Sequence, residues 1–183
     1  AAVLSELHRA NQFGALWSHE ETGNAWTYER DKDVAAWCRS EGIAWHELRN
    51  HGVQRRLASR NGWAAAWDRL MAEPVEAVPA LAPLGSPVEP GVIATAASLS
   101  LVDDPCAARQ IGRRSEGLAL LDSFLHTRGL NYRADMSSPL TGETACSRLS
   151  PHLAWGTLSM REVTQAAWAR QIALKSLRGA SNQ

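Results

Sequence analysis

Between residues 74 and 105 the chain carries six of its eight prolines (Pro74, Pro79, Pro83, Pro87, Pro90 and Pro105), four acidic residues and no lysine or arginine. Proline fixes φ and removes a backbone donor, so neither a helix nor a central strand can run through such a stretch. The segment reads as an extended connector lying over a surface, or else as a free disordered tether. Either way it divides the 183 residues into a part ending near 73 and a part beginning near 106. Each part must then find its own core.

The first part alternates. Ala2, Val3, Leu4 and Leu7 open an amphipathic segment, and Ala15-Leu16-Trp17 is a short apolar run expected to be a buried strand. Ser18–Asn24 is polar and reads as the loop at that strand's carboxyl end. Val34, Trp37 and Cys38 share one face of a helix over 31–40, and Gly42 stops it. Residues 43–48 form a second candidate strand and 63–71 another helix. Strand, helix, strand, helix implies a parallel α/β sheet. No GxGxxG loop is present, which excludes a dinucleotide fingerprint of the NAD type.

The second part reads as helix throughout. Leu118, Leu121 and Leu125 fall at helical spacing within 112–128, with Gly129 as the expected left-handed residue after the helix. Residues 130–140 form a loop carrying Tyr132, Arg133 and Asp135. From Thr144 to Val163 two helix starts are written into the chain. Ser150-Pro151 is an N-cap followed by proline at the first helical position, Gly156 suits the end of a short helix, and Ser159 and Glu162 have capping-box spacing. The last helix is expected to run to about Leu177. Alone, a Ser-Pro pair at a helix start is ordinary capping. Here it follows Thr144, Cys146, Ser147 and Arg148, so small hydrogen-bonding groups, one fixed charge and a helix N-terminus meet in one place. That chemistry suits a phosphate or diphosphate.

Composition narrows the function classes. Formal charge is zero overall, but residues 106–183 hold ten basic and five acidic residues, compatible with a phosphate-bearing partner or with a solvated face. Cys38, Cys106 and Cys146 are odd in number and lack any CxxC pattern, which argues for a reducing, cytoplasmic setting and against a disulfide scaffold or zinc site. His8, His19, His46, His51, His126 and His152 form no HExxH or paired-ligand spacing, so no metal is expected, and no Ser/His/Asp triad is suggested. There is no membrane span or signal peptide pattern. The chain lacks an initiator methionine and opens inside a helix, so it reads as an internal piece of a longer protein. Most of its eight tryptophans are expected in cores rather than in an electron-transfer chain.

Ser147-Arg148-Leu149-Ser150-Pro151-His152-Leu153-Ala154-Trp155-Gly156, followed by Leu158-Ser159 and Arg161, resembles the flavin-binding signature of the DNA photolyase/cryptochrome family. The first part is similar to the second half of that family's α/β domain, through Glu20-Glu21-Thr22-Gly23-Asn24, Trp26-Thr27-Tyr28, Arg30-Asp31, Val34, Trp37-Cys38 and Asn61-Gly62-Trp63. The resemblance implies α/β followed by all-α: a partial parallel-sheet, Rossmann-like domain over 1–73, an interdomain linker over 74–105, and the first helices of a helical FAD-binding domain over 106–183. It implies FAD as cofactor, with Tyr132, Cys146, Ser147, Arg148, Leu149 and Ser150 as the residues that bind it, and no catalytic side chain in this stretch. The parent is then a monomeric photolyase, a lyase and DNA-repair flavoprotein that splits pyrimidine dimers in damaged DNA by light-driven electron transfer. The alternative is a cryptochrome, a blue-light receptor of the same fold without repair activity. A third reading is that the piece is scaffold only and inactive alone.

Two departures from the family pattern matter. Cys146 stands where threonine is usual, and a thiol is a poor donor. The segment 139–146 is about two residues longer than in shorter members, which brings Thr144 in as a replacement hydroxyl. Tyr132 matches the family tyrosine or is a surface aromatic. Where folate-binding members carry an Asn-Glu pair, this chain has Trp26 and Thr27, so the antenna chromophore is unidentified.

Overall fold

A computed structural model describes residues 2–83, 85–86, 89, 91–102 and 104–180. Pro87 and Pro90 of the connector lie outside the described residues. The chain divides into two compact units, one of residues 1–57 and 77–107, the other of 58–76 and 108–183.

The first unit is a single β–α–β crossover with a leading helix: α1 (Ala2–Asn11), β1 (Ala15–His19), α2 (Ala25–Glu41) and β2 (Ala44–Leu48). The two strands pair in parallel, with Ala15 opposite Ala44 and His19 opposite Leu48. Helix α2 begins earlier than the apolar pattern suggests, because the Asn24 side chain accepts a hydrogen bond from the Thr27 backbone N–H (3.2 Å) and caps the first turn. Its end follows the sequence expectation. Gly42 takes φ +68°, its N–H reaches Arg39 O, and the Ile43 N–H reaches Cys38 O at 2.8 Å. That pair of bonds satisfies two carbonyls the helix would leave orphaned and aims Ile43 at the core.

Trp37, Cys38 and Ile43 form the buried centre of this unit, with Leu4, Phe13, Leu16, Val34 and Trp45 around it. Strand β1 is therefore covered on one face only, contrary to the expectation of a fully buried strand: Leu16 and Ser18 face in, while Trp17 and His19 face out. On the bare face Trp17 stacks on His46, its cross-strand neighbour, with ring centroids 4.0 Å apart. Residues 77–107 belong to this unit, and their described residues contain only a 3-10 turn at Ala97–Leu99. Ser86 pins the connector to the end of α1, its N–H donating to Asn11 Oδ1 (2.9 Å) and its hydroxyl to Ala10 O (3.2 Å).

The second unit is helical: α3 (Trp63–Ala72), α4 (Arg114–Ser123) continuing into a π-turn (Phe124–Arg128), α5 (Tyr132–Asp135), α6 (Gly142–Ala145), α7 (Ser150–Ala154) and α8 (Met160–Ala180). Its core is Leu121, Leu149 and Leu158, supported by Leu120, Leu125, Leu153, Val163 and Ala166. Helix α3, which the alternation of elements associates with the strands, packs on α8 through Trp67 and Trp168, edge to face at 6.3 Å. Side chains of α8 also close its end. Arg161 donates to Leu70 O (3.1 Å) and Pro74 O (2.9 Å), and Gln165 donates to Met71 O (2.8 Å) and Glu73 O (2.7 Å). Those of Leu70, Met71 and Glu73 are carbonyls that a helix C-terminus leaves without partners, and Pro74 follows the cap.

The expected single helix over 112–128 is broken in register. The Gly129 N–H bonds to Phe124 O (2.9 Å), five residues back, and Gly129 has φ −84° rather than a left-handed value. Glycine is required there by proximity, since a Cβ would lie 2.5 Å from Phe124 O. Of the tryptophans expected in cores, Trp17, Trp26, Trp63 and Trp155 are instead exposed.

Candidate functional site

The segment 142–162 folds as a run of locally determined turns on the helical core. Helix α6 is one turn, after which Cys146 is extended at φ −72°, ψ 157°. Arg148 then takes φ +61° and Leu149 φ −89°. A sign change of this kind between successive residues turns neighbouring N–H groups toward one side, which is the geometry of an anion-binding concavity. Leu149 is only 3% exposed, packed on Leu121 and Leu158, and so anchors the loop from below.

Leu149, not Ser150, is the N-cap of α7. Its carbonyl already accepts the Leu153 N–H at 2.9 Å, so the helix starts one residue earlier than the Ser-Pro pair suggests. Ser150 makes no capping hydrogen bond and its side chain is exposed. Helix α7 has five residues, too few for its dipole to carry an anion site, so side chains and loop N–H groups must supply the donors. The exit from α7 matches the sequence. Gly156 is at φ +68°, its N–H reaches Leu153 O, and the Thr157 N–H reaches His152 O at 3.0 Å. The capping box also forms: the Glu162 N–H donates to Ser159 Oγ (3.1 Å) and the Ser159 N–H to Glu162 Oε2 (3.0 Å). Arg114 at the start of α4 pairs with Glu162 and donates to Thr157 O (3.2 Å). This guanidinium, with the Ser159 bonds, holds the Glu162 carboxyl down to about 2, against the opposing effect of partial burial.

Under the loop lies His152, 2% exposed, with Nδ1 2.9 Å from Thr157 Oγ1 and Nε2 buried without a partner among the described residues. Its ring lies against Gly117 of α4, where a Cβ would come within 2.9 Å of Nδ1.

The residue that shapes the loop is one that sequence reasoning did not single out. Arg128, at the end of the π-turn, donates from Nε to Ser123 Oγ (3.0 Å). From Nη1 it reaches Thr144 O (3.2 Å) and Cys146 O (2.5 Å), and from Nη2 Leu120 O (3.0 Å) and Ser147 O (3.3 Å). Gln110 takes the next carbonyl, Arg148 O, at 2.8 Å. In the sequence Arg128 has the look of any surface cation near a helix end, and only its neighbour Gly129 marks the place.

Of the expected site residues, Cys146, Ser147, Arg148, Leu149 and Ser150 are thus brought into one held loop. Leu149 offers it only backbone, and Cys146 its backbone and a partly buried free thiol. Tyr132 stands at the first turn of α5, 38% exposed and edge-on to Phe124 at 5.5 Å, with no hydrogen bond to the loop among the described residues. Thr144 does not replace the missing threonine hydroxyl as a free donor, because its Oγ1 donates to Thr141 O at 3.0 Å. Ser147 Oγ and Ser150 Oγ have no hydrogen-bond partner among the described residues, and Arg148 has only Glu143 at 4.0 Å. Two hydroxyls without partners and a guanidinium held only by a 4.0 Å ion pair, within four residues, are a donor set that fits a diphosphate.

A cavity of about 420 Å³ opens in the first unit beyond the strand ends, lined by Glu21, Gly23, Tyr28, Arg55 and Arg56 among others. Its cations are already engaged: Arg55 with Asp31 (2.5 Å) and Glu47 (2.9 Å), Arg56 with the Tyr28 hydroxyl. Among the described residues, no helix is long and apolar enough to cross a membrane, and no group of three or more His, Cys, Asp or Glu could hold a metal.

No family model and no curated protein matches the chain. Among solved structures it is similar to a bacterial class III photolyase from Agrobacterium tumefaciens, with a TM-score of 0.59 over 96% of this chain at 18% identity. The fold is photolyase-like. At that identity it is the architecture that is shared: a small parallel sheet with its helices, then helices alone. The chain spans 42% of the length of that photolyase.

Proposed function

We propose that this chain is part of a flavin-dependent DNA photolyase, and that the loop 146–150 holds the diphosphate of FAD. The observation that carries the reading is the donor set of the two unpartnered hydroxyls, Ser147 and Ser150, and the loosely paired Arg148 on a photolyase-like fold. Bound FAD would supply a light-excited electron donor, and the protein would supply binding, orientation and exclusion of water. In that role Ser147 and Ser150 donate through their hydroxyls, Arg148 neutralises charge on a diphosphate oxygen, and the N–H groups following the φ reversal complete the concavity. Tyr132 contributes its ring and hydroxyl from α5. Damaged DNA is the partner on this reading, reached by flipping the dimer out of the duplex.

The test has two parts. Adding inorganic pyrophosphate to the labelled 183-residue chain should shift the amide resonances of 146–150. The protein expressed in the full context of its gene should bind FAD and repair a pyrimidine dimer in light. Flavin binding with no repair under illumination would favour a light receptor instead, and no response at 146–150 would remove the diphosphate assignment.

A further inference from the structure

Arg128 has an unusual set of partners. A guanidinium carries five N–H donors in a fixed planar fork, and here every edge is used, on Ser123 Oγ and the carbonyls of Leu120, Thr144, Cys146 and Ser147. Four of the five acceptors are backbone. No carboxylate pairs with Arg128 among the described residues, so its charge is met by carbonyl dipoles and the Ser123 hydroxyl. The three loop carbonyls lie on either side of the point where the chain leaves α6 and enters the reversal at Arg148. Holding them inward fixes which way the intervening peptide planes face. The strained φ of Arg148 then persists because Arg128 grips the peptide before it and Gln110 the carbonyl after it.

We infer that Arg128 is the positioning residue of the diphosphate loop: it touches no ligand, sets the loop's shape, and places behind it a positive charge that no carboxylate pairs with among the described residues. The π-turn is part of the device. The fifth-residue bond from Gly129 to Phe124 lets the helix end one residue late, which brings Arg128 to the side of α4 that faces 144–147. Turns of this type interrupt α-helices frequently at functional sites. Lysine could keep the charge but not the fork, since a compact ammonium has three donors and no planar edge. The inference rests on the diphosphate reading of the same loop.

The experiment compares wild type, Arg128→Lys and Ser123→Ala as full 183-residue chains. Inorganic pyrophosphate and orthophosphate are each titrated while the amides of 146–150 are followed, and the thermal midpoint is recorded alongside. A held loop discriminates two linked phosphates from one; a merely basic surface does so far less. Wild type should prefer pyrophosphate, and Arg128→Lys should weaken pyrophosphate about tenfold while orthophosphate changes little, so that the preference collapses. Ser123→Ala removes the Nε partner, together with that hydroxyl's own bond to Leu120 O (3.0 Å), while leaving the Arg128 bonds to 144, 146 and 147; it should move the ratio the same way by less, which decides the matter if Arg128→Lys fails to fold. An unchanged ratio in variants that remain folded overturns the role of Arg128 and leaves the diphosphate site standing. Absence of any pyrophosphate response in wild type overturns the diphosphate reading, and this inference with it.

Discussion

Replacing Gly117 with alanine sets two effects of opposite sign against each other. Glycine inside a helix is less favourable than alanine by roughly 0.8–1.0 kcal/mol, so propensity alone makes Gly117→Ala stabilising. Packing opposes this. The new Cβ would sit 2.9 Å from His152 Nδ1 and 3.1 Å from both His152 Cγ and Leu158 Cδ1. Neither neighbour can swing into solvent, since both are almost wholly buried. Overpacking of this kind costs about 1–3 kcal/mol. Pushing the ring also strains the His152–Thr157 hydrogen bond, a further loss of about 0.5–1.5 kcal/mol. The packing loss exceeds the propensity gain, and Gly117→Ala should destabilise the helical unit by about 1–3 kcal/mol. Urea unfolding followed at 222 nm measures it. The same substitution made on a His152→Ala background should lose most of its penalty, because the closest contacts are gone. A stabilising Gly117→Ala, or an equal effect on both backgrounds, would refute the argument that His152 excludes a side chain at 117.

Ser159→Ala removes one half of the capping box and should cost about 0.5–2 kcal/mol in thermal or chemical unfolding. Ser150→Ala, by contrast, should leave stability within about 0.5 kcal/mol, because its hydroxyl caps nothing, while weakening the pyrophosphate response at 146–150. Glu162, depressed to about 2 by Arg114, contributes stability that is fully present above the ordinary carboxyl range near 4.5. That contribution is lost as pH falls from there through about 2. Glu162→Gln should therefore flatten the acid limb of a stability-against-pH curve, and an unchanged limb would show that the pairing with Arg114 is not maintained in solution. FAD should bind the 183-residue chain no more tightly than micromolar, since the loop is an open site and Tyr132 and Ser150 are exposed; flavin fluorescence titration reads this directly.

Features governed by neighbouring residues were legible without the fold. Gly42 and Gly156 stop helices at φ +68°, and Ser159 with Glu162 closes a capping box, because cap chemistry lies within a few residues of backbone. The short apolar runs became the two paired strands, and the proline-rich stretch stayed free of α-helix and strand among its described residues. The identity of the loop 146–150 as a polar unit ahead of a helix was likewise readable from residue types alone.

What the sequence left undetermined depends on partners far along the chain. That α3 packs on α8 is decided by Trp67 meeting Trp168 and by Arg161 and Gln165 reaching its carbonyls, across about ninety residues in the case of the hydrogen bonds. That Leu149 rather than Ser150 starts α7 follows from Leu149 sinking into the core beside Leu121 and Leu158. That the helix after Arg114 widens into a π-turn, and that Arg128 gathers the carbonyls of 144, 146 and 147, appears only when both segments are folded together. Caps and periodicity act through bonds a few residues long and can be read in order. A guanidinium's five donors find their acceptors only in three dimensions, so its role is fixed by packing and is invisible in the string of residues.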